Sequence, residues 1–336
     1  MHVFLLMDTE RRILREYHMI LNGEKEPKFL QSKYQKARFT TTDSDETLWS
    51  IHNNMIAHPT YSEIAPDQSM LDLKHELARK IYAKCCFCEH RCLVNRSRHH
   101  GECSVTTPCI SSEFIHLGEE TALVPSHTIF FSGCTLHCVF CQNWDISQII
   151  KGWYIKPEKL AKIIEKRNDQ GSRNVNWVGG DPTPNLSYIL EVLRYVNEPI
   201  SQVWNSNMYC SLETMHLLKG VIDVYLTDFK FGNDNCAKRL SKVDDYLDIV
   251  QRNHKIAYKQ GEMTIRHLVM PNHITCCSKP IIDWISLHTP ETLVNIMGQY
   301  KPDYHAKCYE EISRPTTRKE IQDVKAYAKK KGLFLI

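Results

Sequence analysis

Short apolar runs alternate with amphipathic stretches along the chain from residue 127 onward. The apolar runs predict strands over 128–131, 175–178, 202–204, 222–227, 263–270 and 292–297. The amphipathic stretches predict helices over 157–166, 185–196, 211–219, 244–259 and 278–288, with a last helix that begins at Thr317. About six alternations of strand and helix are typical of an α/β fold with a parallel sheet. Six units are fewer than a closed barrel needs, so we expect an open, partial (β/α)6 barrel.

The pattern is weaker before residue 127. Apolar positions three and four residues apart predict one amphipathic helix over 70–82. Residues 1–68 show no definite element and are interpreted as an appendage, whereas residues 85–126 are rich in cysteine without a clear period. The predicted domains are therefore an N-terminal extension (1–84), a cysteine-rich metal-binding segment (85–126) and the partial barrel (127–336).

Composition limits the class of protein. The 336 residues are 42% hydrophobic and 24% charged, which is typical of a globular protein. A net charge of +3, from 42 basic and 39 acidic residues, argues against a dedicated nucleic-acid binder. No apolar run approaches the ~18 residues that span a bilayer, and the stretch at 1–7 is too short for a secretory signal. We expect a soluble, cytoplasmic protein without a membrane partner.

The cysteines carry the strongest chemical information. Most of the 14 cysteines fall between residues 85 and 141. A reducing compartment disfavours a disulfide framework, so clustered thiols indicate a metal ion or an iron–sulfur cluster.

Three cysteines directly follow the first predicted strand of the alternating region. Cys134, Cys138 and Cys141 have the spacing C-x3-C-x2-C, and Phe140 precedes the last of them. Three thiolates on one compact loop can hold three irons of a [4Fe–4S] cluster and leave the fourth iron open to a ligand. A zinc site completed by His137 or by a distant residue is the alternative. The full spacing, placed after a strand, favours the cluster.

This motif resembles that of the radical S-adenosylmethionine (SAM) superfamily, over roughly residues 127–300. The resemblance implies that the three cysteines hold a [4Fe–4S] cluster, whose open iron binds the amino and carboxylate groups of SAM. One electron would then split SAM into methionine and a 5′-deoxyadenosyl radical that abstracts a hydrogen atom. The resemblance also implies that Phe140 lies against the adenine, and that a ferredoxin or flavodoxin is the electron-donating partner.

The second predicted strand ends at Gly179 and Gly180. Two glycines at the end of a strand let a ligand approach the backbone closely. The superfamily has a Gly-Gly-Glu motif here that binds the SAM amino group, and this chain has Asp181 in place of the glutamate. The resemblance therefore implies a shifted contact from Asp181, and an ordinary strand–helix turn is the alternative.

The fourth and fifth predicted strands also end in charged residues. Asp228 and Lys230 alternate with Phe229, so their side chains point to the same side of a continuing strand. In activating enzymes of the superfamily, an Asp-x-Lys here lies near the SAM ribose and carboxylate, and an isolated ion pair is the alternative. Arg266 matches an arginine that contacts the methionyl carboxylate in relatives, which suits its planar fork. His267 beside it is interpreted as a buried histidine with its hydrogen bonds made.

A second cysteine set lies upstream, with the spacing C-x2-C-x3-C-x10-C. It consists of Cys85, Cys88, Cys92 and Cys103. Four thiolates satisfy either zinc or a fully ligated second cluster, and the sequence does not choose between them. This prefix and the motif at 179–184 resemble the PflX group, radical SAM proteins related to pyruvate formate-lyase activating enzymes. No cysteine occurs in 142–174, so the chain departs from activases that carry a ferredoxin-like insert there.

The leading hypothesis is a radical SAM enzyme of the oxidoreductase class. By resemblance, its target is a glycyl-radical enzyme or another protein substrate, and an open barrel would leave a side groove for a loop of that protein. A non-catalytic zinc or iron–sulfur protein is the alternative that the upstream cysteines alone would fit. A radical SAM enzyme acting on RNA or a small metabolite is a third hypothesis. The neighbouring pair Glu119 and Glu120 has no role that the sequence defines.

Overall fold

The computed structural model describes residues 9–336, so the apolar stretch at 1–7 lies outside the described residues. One eight-stranded sheet organises this part of the chain, and strands that are consecutive in sequence are neighbours in the sheet. The first strand pairs antiparallel with the second, and every later pair is parallel. This arrangement confirms the predicted α/β class. The strands are β1 (Ile110–His116), β2 (Ser126–Phe131), β3 (Asn174–Gly179), β4 (Ser201–Ser206), β5 (Val224–Asp228), β6 (Glu262–Leu268), β7 (Leu293–Met297) and β8 (Phe334–Leu335).

Helices cover the sheet and connect its parallel strands. The bounded α-helices in the described residues are α1 (Arg15–Leu21), α2 (Lys28–Lys33), α3 (Asp45–Ala57), α4 (Met70–Ala83), α5 (Trp144–Ser147), α6 (Pro157–Asp169), α7 (Leu186–Tyr195), α8 (Leu212–Leu218), α9 (Asp234–Ser241), α10 (Tyr246–Gln260), α11 (Lys279–His288) and α12 (Arg318–Lys330). Helix α4 lies where the periodicity predicts a helix, and Ser69 and Asp72 form a capping box at its start. None of the helices in the described part is long and apolar enough to cross a bilayer.

Residues 1–68 are interpreted from the sequence as having no definite element, and the structure shows that this interpretation is wrong. Helices α1 to α3 lie there, and Tyr17, Phe29 and Leu48 are fully buried. These short helices make their contacts with distant polar groups, which periodicity cannot reveal. The backbone N–H of Tyr17 donates to Glu262 at 2.8 Å, and its hydroxyl accepts from Asn174 at 2.8 Å. Because Glu262 and Asn174 begin strands β6 and β3, helix α1 lies at the N-terminal edge of the sheet.

The expected count of about six strands is also too low. Strand β1 lies within the cysteine-rich segment, where no period is apparent, and β8 is only two residues long. Strand β1 pairs along most of its length with β2 and so supports the strand that leads into the three cysteines. The carboxyl ends of the parallel strands meet at the opposite edge from the N-terminal helices.

Candidate functional site

A cavity of about 240 Å³ opens at the carboxyl-terminal edge of the parallel strands. Parallel sheets of this kind usually place their ligands at that edge. Nearly all of the site residues expected in the alternating region line it, namely Cys134, Cys138, Phe140, Cys141, Gly179, Gly180, Asp228, Lys230 and Arg266. The sequence therefore locates one site from residues spread over more than 130 positions.

Each thiol of the three-cysteine loop has a polar partner. Asn207 Nδ2 donates to Cys134 Sγ at 3.5 Å. The hydroxyl oxygens of two serines provide the other contacts, at 2.9 Å between Ser241 Oγ and Cys138 Sγ and at 3.1 Å between Ser147 Oγ and Cys141 Sγ. Hydrogen bonds to sulfur stabilise thiolate ligands and influence the reduction potential of a cluster.

The loop itself is held by helix α9. The backbone N–H of His137 donates to Ser241 O at 3.0 Å, and that of Val139 donates to Leu240 O at 2.9 Å. The side chain of His137 bonds Gln148 at 2.8 Å and does not line the cavity. The ring of the histidine considered as a zinc ligand thus has Gln148 as a hydrogen-bond partner outside the cavity lining.

Burial makes these thiols poor thiolates on their own. It raises the pKa of Cys134 well above its usual range, and the negative charge of Asp181 acts in the same direction. Burial likewise raises the pKa of Cys138, against the opposing charge of Lys230. Thiolates at such positions need a cationic partner, and bound iron would supply it. The donor set therefore fits an iron–sulfur cluster.

A charged network crosses the cavity wall beside the loop. The carboxylate of Asp228 accepts from Lys230 Nζ at 2.7 Å and from Arg266 Nε at 3.0 Å. Arg266 Nη1 also reaches Glu119 at 3.3 Å, and Asn205 Oδ1 accepts from its other terminal nitrogen. Burial opposes the charge on Asp228, but Lys230 and Arg266 outweigh it and lower its pKa to about 2.

The two glycines are required by the protein backbone around them. A Cβ at Gly179 would lie 2.1 Å from Phe131 O, and one at Gly180 would lie 2.2 Å from Gly133 O. Gly179 also has a φ of +137°, which disfavours other residues. Although both glycines line the cavity, the structure itself ties their small size to close contacts with Phe131 at the end of β2 and with Gly133 just before Cys134.

Asp181 is the expected contact that does not line the cavity. Its carboxylate is 1% exposed and accepts from Thr183 N, Ser206 Oγ and Asn207 N, each at 2.9 Å. These bonds fix the ends of β3 and β4 beside Cys134. In this structure Asp181 positions Asn207, which in turn reaches the Cys134 sulfur.

The structure also locates two ring side chains that the sequence analysis singles out, Phe140 and His267. Phe140 lines the cavity, with its ring centroid 6.0 Å from Phe231 and 6.2 Å from Tyr300. His267 is buried and bonds Phe229 O and Ser278 Oγ, each at 2.8 Å. His267 is therefore the satisfied buried histidine that the sequence predicts.

The upstream cysteines lie against the same loop. Cys85, Cys88 and Cys103 are buried, and Cys92 is partly exposed. Burial raises the pKa of the Cys88 thiol, and the negative charges of the other three cysteines act in the same direction. The segment is anchored by the buried Arg96, whose guanidinium donates to Val105 O and Pro184 O at 2.8 Å each. His90 Nε2 lies 2.8 Å from Thr135 O, next to the first cavity cysteine.

Sequence reasoning missed several polar residues that support the site. They are Glu119, Ser147, Asn207 and Ser241. Asn207 and Ser241 touch a cysteine sulfur from over 70 positions away, and such contacts leave no local pattern. The signal available was the polar run at the end of β4, where Asn205 lines the cavity and its Nδ2 has no hydrogen-bond partner among residues 9–336.

Comparison with known proteins gives a family match to the region that builds the cavity. A family model described as the Radical SAM superfamily matches residues 128–285. A relative named Uncharacterized protein MJ0674, from Methanocaldococcus jannaschii, is 51% identical over 302 residues. That alignment covers 86% of this chain and 89% of the relative.

Similarity to solved structures is more distant. A crystal structure of methylornithine synthase (PylB) has a TM-score of 0.45 at 13% identity, and covers 95% of this chain and 84% of that one. Streptococcus suis SuiB bound to the precursor peptide SuiA also has a TM-score of 0.45, at 16% identity. That match covers 86% of this chain and 60% of SuiB.

Proposed function

We propose that this chain, whose residues 128–285 match the model of the radical SAM superfamily, cleaves SAM at a [4Fe–4S] cluster held by Cys134, Cys138 and Cys141. The observation that carries the proposal is the set of three thiols, each with its own polar partner, at the wall of one cavity. When bound, the cluster and SAM supply reductive cleavage to methionine and a 5′-deoxyadenosyl radical. The superfamily implies an enzyme.

The cavity wall offers charges that suit SAM. Lys230 and Arg266 are cations at the wall, and a methionyl carboxylate is an anion that Arg266 can bind in a planar fork. The low pKa of Asp228 keeps it an acceptor, as ribose hydroxyls require. Asn205 Nδ2 is an unpartnered donor in the described structure. We assign SAM recognition to these side chains, to Phe140 as the adenine contact, and to the edge at Gly179 and Gly180.

We further propose that the sheet is the open, partial barrel of this superfamily and that the substrate is a segment of another protein. A glycyl-radical enzyme is the candidate that the resemblance implies. Large apolar side chains at Ile149, Ile150, Trp153 and Tyr154 are 41–57% exposed just after the three-cysteine loop. A patch of exposed apolar residues beside a site is typical of a protein interface.

The upstream set completes the proposal. We assign Cys85, Cys88, Cys92 and Cys103 to a second metal, either zinc or an auxiliary cluster, within the predicted segment 85–126. The spacing of the four cysteines and the burial of Cys85, Cys88 and Cys103 support this assignment. A low-potential ferredoxin or flavodoxin is the proposed electron donor to the cavity cluster.

The test is production of 5′-deoxyadenosine. The full chain is reconstituted anaerobically with iron and sulfide, reduced with dithionite and incubated with SAM. We expect product from the wild type and from Cys308→Ala, which alters an exposed cysteine away from the cavity. We expect none above background from Cys138→Ala, and equal product from Cys138→Ala and wild type would contradict the proposal.

A further inference from the structure

Four metal-ligating side chains converge where helix α9 meets the turn after strand β6, and they do not line the cavity. Cys236 lies on α9, whereas His273, Cys276 and Cys277 come from the region of the π-helical turn Ile274–Ser278. The Sγ atoms of Cys236, Cys276 and Cys277 lie 3.6, 3.4 and 3.6 Å from His273 Nδ1. The sulfurs of Cys276 and Cys277 are 3.9 Å apart, and all four ligand atoms lie within 4.8 Å of one another.

Hydrogen bonding does not account for this convergence. One imidazole nitrogen carries at most one proton, and thiols are weak donors and acceptors, so three sulfurs have little reason to surround Nδ1. A tetrahedral zinc ion, with Zn–S near 2.3 Å and Zn–N near 2.0 Å, would set the sulfurs about 3.8 Å apart and about 3.5 Å from the nitrogen. The observed distances match these values. They are also too short for a four-iron cube, whose ligands stand further apart than those of a single ion.

The backbone is shaped to bring the ligands together. Cys276 and Cys277 are consecutive, and a wider π-helical turn carries both. Gly232 lies against that turn, since a Cβ there would meet Cys277 O at 2.6 Å and Cys277 Cα at 2.7 Å. Asn233 Nδ2 donates to Cys276 O at 2.8 Å and lies 3.8 Å from Cys277 Sγ. The segment before α9 and the turn after β6 are therefore packed as one unit around the ligands.

We propose that Cys236, His273, Cys276 and Cys277 bind one structural zinc ion. Three thiolates and one imidazole fill a tetrahedral shell with no open position, which is the arrangement of structural rather than catalytic zinc. Three of the four ligands are buried, and Cys276 is exposed. This site is separate from both the three-cysteine loop and the upstream set.

The position of the site gives the ion a role. Helix α9 begins at the zinc ligands, and its last residue, Ser241, contacts Cys138 Sγ and accepts a backbone bond from the three-cysteine loop. An ion at one end of this eight-residue helix thus fixes the support for the cluster loop at the other end. Zinc binding would order the loop without taking part in the chemistry of the cavity.

Zinc content of the purified full chain tests the proposal. The protein is isolated anaerobically and its zinc measured by mass spectrometry for the wild type, Cys276→Ser and Cys308→Ser. Cys276 and Cys308 are both exposed, so neither serine opens a buried cavity. We expect Cys276→Ser to lose about one zinc per chain relative to wild type. We expect Cys308→Ser to keep it.

Zinc X-ray absorption identifies the ligands. In the Cys88→Ser variant, which removes an upstream ligand, we expect a shell of three sulfurs and one nitrogen. His273→Cys should retain the ion with four sulfurs. The same zinc content in wild type and Cys276→Ser would overturn the proposal, as would a Cys236–Cys277 disulfide in place of the metal. A mononuclear iron centre lost in Cys276→Ser would overturn its assignment to zinc.

Discussion

The ion-pair network of Asp228 gives the sharpest quantitative prediction. Asp228→Asn removes the anion shared by Lys230 at 2.7 Å and Arg266 at 3.0 Å. Only 18% of the Asp228 side chain and 22% of the Lys230 side chain are exposed. Removing one partner of a buried pair leaves an uncompensated charge and typically destabilises by ~3–5 kcal/mol. Because Arg266 retains its ion pair with Glu119 at 3.3 Å, we expect a destabilisation at the lower end of that range, about 3 kcal/mol.

A second change separates charge from packing. In Asp228→Asn/Lys230→Met, no unpaired lysine remains, so we expect roughly 2 kcal/mol of the loss to be recovered. Thermal unfolding of the cluster-free full chain measures this without a contribution from bound ligand. The single variant should melt roughly 4 °C below wild type, and the double variant should melt above the single. A double variant that melts at or below Asp228→Asn would refute the reasoning.

The ion-pair network of Asp228 also makes the stability of the folded protein depend on pH. The pKa of Asp228 falls from an ordinary 3.8 to about 2 in the folded protein. A lowered carboxylate pKa stabilises the fold above the unfolded value, and this contribution is lost as pH falls through the folded value. The difference in melting temperature between wild type and Asp228→Asn should therefore stay constant from about pH 5 to 7 and narrow below about pH 4.

Three further variants test other parts of the site. Ser241→Ala removes the hydroxyl beside Cys138, so we expect a more negative cluster potential by redox titration, and an unchanged potential would show that the contact is unimportant. Gly180→Ala places a Cβ 2.2 Å from Gly133 O, so we expect the reconstituted chain to lose most of the iron of the cavity cluster, and full iron would contradict that steric argument. Cys88→Ser should release the upstream metal while the cavity cluster still forms, and loss of both metals would mean that the two sites fold as one.

Local pattern singles out residues that the structure brings to one cavity. The alternation after residue 127 locates β2 to β7, and the carboxyl ends of those strands carry the motif residues that meet in the cavity. Once parallel strands are predicted, the topology itself brings Cys134, Asp228 and Arg266 to one edge. The ion pair of Asp228 with Lys230 follows from their alternation along the chain.

The remaining features depend on contacts that no local pattern encodes. Helix α1 shows no definite pattern of apolar residues in the sequence. Its polar contacts with Glu262 and Asn174 hold it to the sheet. Glu119 meets Arg266 across 147 positions, which only the folded chain can reveal. Cys236 lies 40 and 41 residues before its partners Cys276 and Cys277, so the spacing resembles no compact metal motif.

Electron paramagnetic resonance of the reduced protein, recorded with and without SAM, tests the central claim most directly. A cluster with three cysteine ligands leaves one iron for SAM, so adding SAM must change the environment of that iron. We predict a reduced [4Fe–4S] signal whose g-values shift on addition of SAM in wild type and in Cys88→Ser. The absence of any SAM-dependent shift in wild type, or a SAM-dependent shift that persists in Cys138→Ala, would contradict the account.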